Sequence, residues 1–346
     1  MTVAASIGSD AATVRHPIPV RALWLLAGCA ALVALSVVSV SFGMRAVSPD
    51  DIVAGLTGHD ATIAQAAVLK RVPRTVLAIL VGAALAMSGA AMQAVTRNPI
   101  ADPGILGVTG GAALAVVIGL AFFGLSSAWG QIAVAIVGAA VAAVFVYAVG
   151  SLGRGGATPL KLTLAGAATS AAFASLISAI MLPRVELLQA WQSWQVGGVG
   201  GADWAKIGVL VPVLAVGALI CLACARGMNS LALGDELAAG LGESVFRTRL
   251  VSALGAVLLA GAATAIAGPI GFVGLVIPHL CRMLVGTDHR WLLPLSAMAG
   301  AVLLVAADVV GRVVAAEEEL QVGIVTAVIG APFFIWIVRR QKVREL

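Results

Sequence analysis

Apolar residues gather along this chain into ten runs, at roughly 22–43, 73–95, 107–124, 130–150, 161–182, 206–225, 250–268, 270–285, 292–314 and 322–338. Most approach the ~20 residues that a helix needs to cross a hydrocarbon core of about 30 Å. The eighth is shorter, and Gly268, Pro269, Gly271, Gly274 and Pro278 interrupt the stretch where the seventh run passes into it. Breaks of that kind inside a membrane require protein or a cavity to satisfy the freed backbone groups, so a short, broken helix is predicted there. The first run lacks the short apolar core and cleavage site of a signal peptide and reads as a retained helix. The pattern thus predicts an all-α integral membrane protein of about ten transmembrane helices. Residues 1–20 form a polar tail, 21–340 a single membrane domain and 341–346 a second tail.

Composition sharpens this picture. Of 346 residues, 61% are hydrophobic and 11% charged, and the mean hydropathy is +1.07. Soluble domains carry about 25% charged and about 45–50% apolar residues. The 40 glycines suit helices that pack closely in lipid, where no hydrophobic force draws them together. A β-barrel would show alternating segments of about ten residues instead. Cys221 and Cys224 form a C-x-x-C inside apolar sequence with no second pair, the setting of small buried side chains rather than of a redox or metal motif.

The net charge of +5 forms no basic stripe, which argues against nucleic acid. Its distribution predicts topology instead. With the N-terminus inside, cytoplasmic segments hold 14 of the 21 basic residues, the bias expected of inward-facing loops. Both termini are therefore expected in the cytoplasm.

Three polar stretches carry more than loop chemistry. The first runs from Arg71-Val72-Pro73-Arg74 through Gly82 to Gly89 and Gln93, then Arg97-Asn98-Pro99 and Asp102-Pro103-Gly104. Pro73 suits the first turn of a helix. Arg71 and Arg74, three apart, project together at the outer mouth, either to reach headgroups or to bind a partner. Asn98-Pro99 and Pro103-Gly104 signal a tight inner loop.

The second stretch, Gly234-Asp235-Glu236-Leu237-Ala238-Ala239-Gly240-Leu241-Gly242, sits within a cytoplasmic segment at about 228–249 and is followed by Arg247 and Arg249. Its acidic start and flanking glycines suit a short helix. Leu237 and Leu241 would share one stripe, and the acidic residues favour a protein partner over anionic lipid.

The third stretch is Gly268 to His279, then Asp288-His289-Arg290, Asp308, Arg312, Glu317 to Glu319 and Gly330-Ala331-Pro332-Phe333. His279 beside a proline is either a ligand for a metal or proton, or a donor to a backbone carbonyl. Asp308 and Arg312, four apart, predict a neutralising pair, since a lone intramembrane charge costs about 2.5–3.5 kcal/mol.

Taken in order from Arg71 to Arg340, these motifs resemble the FecCD-type permeases of binding-protein-dependent ABC importers for iron–siderophores, haem and cobalamin. The resemblance rests on R-x-P-R, R-N-P-x-A-x-P, the G-D-E-L-A stretch, G-P-I-G-F-V-G-L-x-x-P-H, D-H-R and G-I-V-T-A-x-I-G-A-P-F-F. It implies the type II importer architecture in the bacterial cytoplasmic membrane. It also implies three kinds of protein partner: two copies of an ATP-binding subunit, a second permease that is identical or paralogous, and an extracytoplasmic substrate-binding protein. By the same resemblance, Gly234 to Gly242 would couple to the ATPase, and Arg71, Arg74 and Arg312 would dock the binding protein. Thr158, Pro159 and Leu160 would border the inner gate. That last triplet departs from the hydroxyl-rich pattern of cobalamin members, which weakens a cobalamin assignment; an iron–siderophore-type chelate is expected, with haem or cobalamin as the alternative.

The residues offer no rival chemistry. None of the four lysines (Lys70, Lys161, Lys206, Lys342) completes a G-x-x-x-x-G-K-[ST] loop, so ATP hydrolysis is expected on a partner and no cofactor or metal on this chain. A gradient-driven transporter would need ionisable groups at mid-membrane, and the runs are nearly free of them. No H-E-x-x-H or nucleophile–base set suggests an intramembrane enzyme.

Overall fold

A computed structural model describes residues 17–43, 47–104, 106–152, 159–314 and 319–342. Helices occupy all ten predicted runs: α1 (Ile18–Ser41), α3 (Ile63–Thr96), α4 (Val108–Phe123), α5 (Ala128–Gly150), α6 (Pro159–Met181), α8 (Trp204–Ala223), α11 (Val245–Ala267), α12 (Val273–Val285), α13 (His289–Val314) and α14 (Val322–Lys342). Seven are long and apolar enough to span a membrane, and α4, α12 and α14 contribute shorter apolar helices. Four short helices join them: α2 (Pro49–Leu56), α7 (Val185–Val196), α9 (Ala225–Leu231) and α10 (Asp235–Gly240). Among the described residues there is no strand.

Pro73 does not open its helix. The second span begins ten residues earlier, where Thr62 and Gln65 bond each other's backbone N–H in a capping box, so Pro73 lies in the helix interior. At 34 residues, α3 is about 51 Å long at 1.5 Å per residue. It therefore outruns the hydrocarbon core, and its first turns carry Lys70, Arg71 and Arg74 beyond the apolar stretch.

The core forms where α3 meets α11, α12 and α13. Its backbones touch because glycines face each other. A Cβ at Gly82 would strike the carbonyl of Gly300, and one at Gly89 would strike that of Gly274. These two crossings fasten α3 to α13 and α12. By contrast α1 and α5 turn leucines, valines and phenylalanine outward, among them Leu26, Val33, Val141 and Phe145, as lipid-facing helices should. The broken eighth helix is present as α12, 13 residues long. Its N-cap is Phe272, whose φ of 67° is left-handed, and the Phe272 ring fills the notch left by Gly330 on α14.

Candidate docking sites at the two ends of the bundle

At one end of the bundle, α3, α13 and the segment before α14 bring five charged side chains together beside the C-terminus of α1. Arg74 donates from Nε to Asp308 Oδ1 at 2.9 Å and pairs through Nη1 with Glu319 Oε2 at 2.6 Å. Asp308 binds Arg312 through its other oxygen at 3.0 Å. Arg312 also donates to the carbonyls of Ser39 (3.0 Å) and Phe42 (3.2 Å) and to Ser39 Oγ (2.7 Å). Arg71 donates to the carbonyls of Val40 and Ser41, at 3.0 and 3.2 Å. These carbonyls are the ones the C-terminus of α1 leaves without intrahelical partners.

The expected Asp308–Arg312 pair is therefore present, and Arg74 joins it. Three arginines face two carboxylates, leaving one net positive charge. The cluster is graded in depth: Asp308 is 1% exposed and Arg312 3%, whereas Glu319 is 37% exposed. Arg71, Arg74 and Arg312 are brought together as the sequence suggested, but Arg71 and Arg312 also tie down α1. That role depends on Ser39 to Phe42, where the sequence carries no signal. Glu317 and Glu318 lie outside the described residues.

At the opposite end of the bundle, the stretch from Gly234 to Gly242 is a built turn. Gly234, with φ of 105°, precedes the single-turn helix α10. The helix closes in a Schellman motif: Gly242 N–H donates to Ala239 O at 2.9 Å and Glu243 N–H to Ala238 O at 3.0 Å. Gly242 supplies the left-handed residue that this motif requires. Ala238 is buried, while Leu237 is 62% and Leu241 68% exposed. Leu233 and Phe246 are exposed on either side. Asp235 accepts from Arg249 at 2.8 Å and pairs with Arg97 at 3.6 Å. Glu236 is exposed.

The D-H-R motif lies at this same end and anchors α9. Asn229 donates to Asp288 Oδ1 at 2.7 Å and accepts from the His289 backbone N–H and ring Nδ1, both at 2.8 Å. Burial pushes the Asp288 carboxyl up, but bonds from Arg290 and Asn229 outweigh it and hold its pKa down at about 2. Asn229 gave no sign of this in the sequence. Deeper in, Gln93 on α3 accepts from Arg282 on α12 and donates to Gly274 O.

The remaining candidates are placed apart. Thr158 lies outside the described residues. Pro159 opens α6, and Leu160 is 70% exposed on it; α6 packs on α4 and α5. His279 makes an edge-on contact with the Phe333 ring at 6.1 Å between centroids. Among the described residues it belongs to no group of three or more His, Cys, Asp or Glu side chains that could hold a metal. Cys221 is buried, and Cys221 and Cys224 are both free thiols.

The sequence profile of the FecCD transport family matches residues 31–340. The ferric enterobactin transport system permease of Escherichia coli K12 is 46% identical over 272 residues, covering 78% of this chain and 81% of that protein. The iron(3+)-hydroxamate import permease of Bacillus subtilis 168 is also 46% identical, covering 79% of this chain and 71% of its own. A cobalamin import permease of Halobacterium salinarum is 39% identical across 100% of this chain and 94% of its own. Among solved structures, an inward-facing metal-chelate type ABC transporter superposes with a TM-score of 0.76 at 32% identity, over 91% of this chain and 98% of that one.

Proposed function

The chain belongs to the FecCD transport family, and from that membership we propose that it is the membrane-spanning permease of an ABC importer carrying an iron–siderophore-type chelate into the cytoplasm. The observation that carries this reading is the family match over residues 31–340, with 46% identity to two ferric-chelate permeases. The reading assigns ATP hydrolysis to a separate subunit and makes this chain the conduit it drives. Two permeases, identical or paralogous, would enclose the path, with two ATPase subunits inside and a binding protein outside. The exposed face of α6, including Leu160, Leu164 and Leu176, would face the second permease, with 158–160 at the inner gate. Both termini would be cytoplasmic.

The two clusters take complementary roles in this reading. Leu237 and Leu241 present an apolar face where an ATPase subunit would seat, and the helix is held from behind by buried Ala238 and by Asp235. The outer cluster would receive carboxylates of the binding protein. Asp308 is locked between two arginines and stays in place, so the exchangeable position is that of half-exposed Glu319 on Arg74 Nη1. Rim pairs of this kind set encounter rate and register more than affinity, and salt screens them.

Arg74→Glu should therefore slow chelate uptake at limiting binding protein. The loss should shrink as binding protein is raised, and basal ATPase activity of the assembled complex should persist. Uptake assayed in proteoliposomes against binding-protein concentration checks this. Equal uptake by variant and wild type at low ionic strength would remove Arg74 from the docking site.

A further inference from the structure

Arg97 ends α3 in a conformation that a glycine would adopt at less strain. Its φ of 49° is left-handed, and its N–H caps the helix on Ala94 O and Gln93 O. Arginine and phenylalanine (Phe272) are the only residue types besides glycine found at positive φ among the described residues. A glycine would close α3 equally well, but it would have no side chain to reach across to the coupling turn. The Arg97 guanidinium does so: it pairs with Asp235 and lies 3.7 Å from where a Cβ of Gly234 would be. From the opposite side Arg249 on α11 donates to the same Asp235 oxygen.

One carboxylate thus ties α10 to the end of α3 and to the first turns of α11. The peptide chain joins α10 to α9 on one side and to α11 on the other, and α9 packs on α3, α11 and α13. The Arg97 pair adds a direct tie from α10 to α3, the most buried of the long helices. At its other end α3 carries Arg71 and Arg74.

We propose that Arg97 is a positioning residue for energy coupling: through Asp235 it makes α10 and α3 move as one body, while taking no part in holding the ATPase subunit. This rests on the assignment of α10 as the docking element. The joint conducts motion and adds little to stability, because the pair is exposed and exposed pairs are weak.

The test uses the complete transporter in proteoliposomes, with radioiron-labelled ferric chelate as probe and the ratio of chelate imported to ATP hydrolysed as readout. Arg97→Gly keeps the left-handed cap and removes the guanidinium, so the helix end is preserved. It should leave co-purification of the ATPase subunit and basal hydrolysis as in wild type. Import per ATP should fall at least about five-fold, the lower end of usual coupling between distant sites. Arg97→Lys, which restores a cation, should recover much of the ratio. A wild-type ratio in Arg97→Gly overturns the proposal, and so does loss of the ATPase subunit, which would make Arg97 a docking contact. Failure of the underlying assignment looks different: Leu237→Asp/Leu241→Asp would then still assemble and transport.

Discussion

Asp308→Asn should destabilise the protein by about 3–5 kcal/mol, the usual cost of removing one partner from a buried ion pair. Asp308 is 1% exposed and its two oxygens serve Arg74 and Arg312. The amide keeps an acceptor for Arg74 but no charge, leaving two guanidinium groups beside each other in a site that already holds Arg71. Arg312 retains Ser39 and Phe42, so the C-terminal end of α1 should loosen rather than detach. The measurement is thermal unfolding in detergent, with Glu319→Gln as control. Glu319 is 37% exposed, and its loss should cost no more than about 1 kcal/mol. Equal melting temperatures for Asp308→Asn and wild type would show that the cluster does not hold the bundle.

The largest effect on assembly is expected from Leu237→Asp/Leu241→Asp. Burying a leucine is worth about 1.5–3 kcal/mol, and a buried unpaired carboxylate adds a penalty of several kcal/mol. The double variant should therefore lose the ATPase subunit on affinity purification. Both leucines are exposed on α10, outside every membrane span, so insertion and folding should be unchanged. Co-purification in wild-type amounts would rule out α10 as the docking element.

The ten spans were legible because hydropathy alone decides where a chain enters lipid. The start of α3 was not, since Lys70, Arg71 and Arg74 dilute the apolar signal and Pro73 imitates a helix start. The Thr62-x-x-Gln65 pattern of a capping box was nevertheless available in the sequence. Short helices such as α7 and α9 lie beside longer spans and leave no separate hydrophobic period. At the sites, spacing gave Asp308 with Arg312 and Leu237 with Leu241, because each pair is four apart on one helix. It could not give Arg74 with Asp308 or Arg97 with Asp235, whose members are far apart in the chain and meet only in the folded bundle. Nor could it show that Arg71 and Arg312 turn inward to the end of α1. Charge in a sequence does not reveal which unpaired carbonyls lie within reach.

As an importer permease, this chain should act as the passive conduit of an ATP-driven transporter. The most direct test is accumulation of a radioiron-labelled ferric siderophore by proteoliposomes containing the chain, with and without its ATPase subunit and binding protein. Accumulation should require both proteins and ATP inside the ATPase compartment, and the isolated chain should hydrolyse no ATP. Accumulation driven by a proton or sodium gradient in the absence of the ATPase subunit would contradict it.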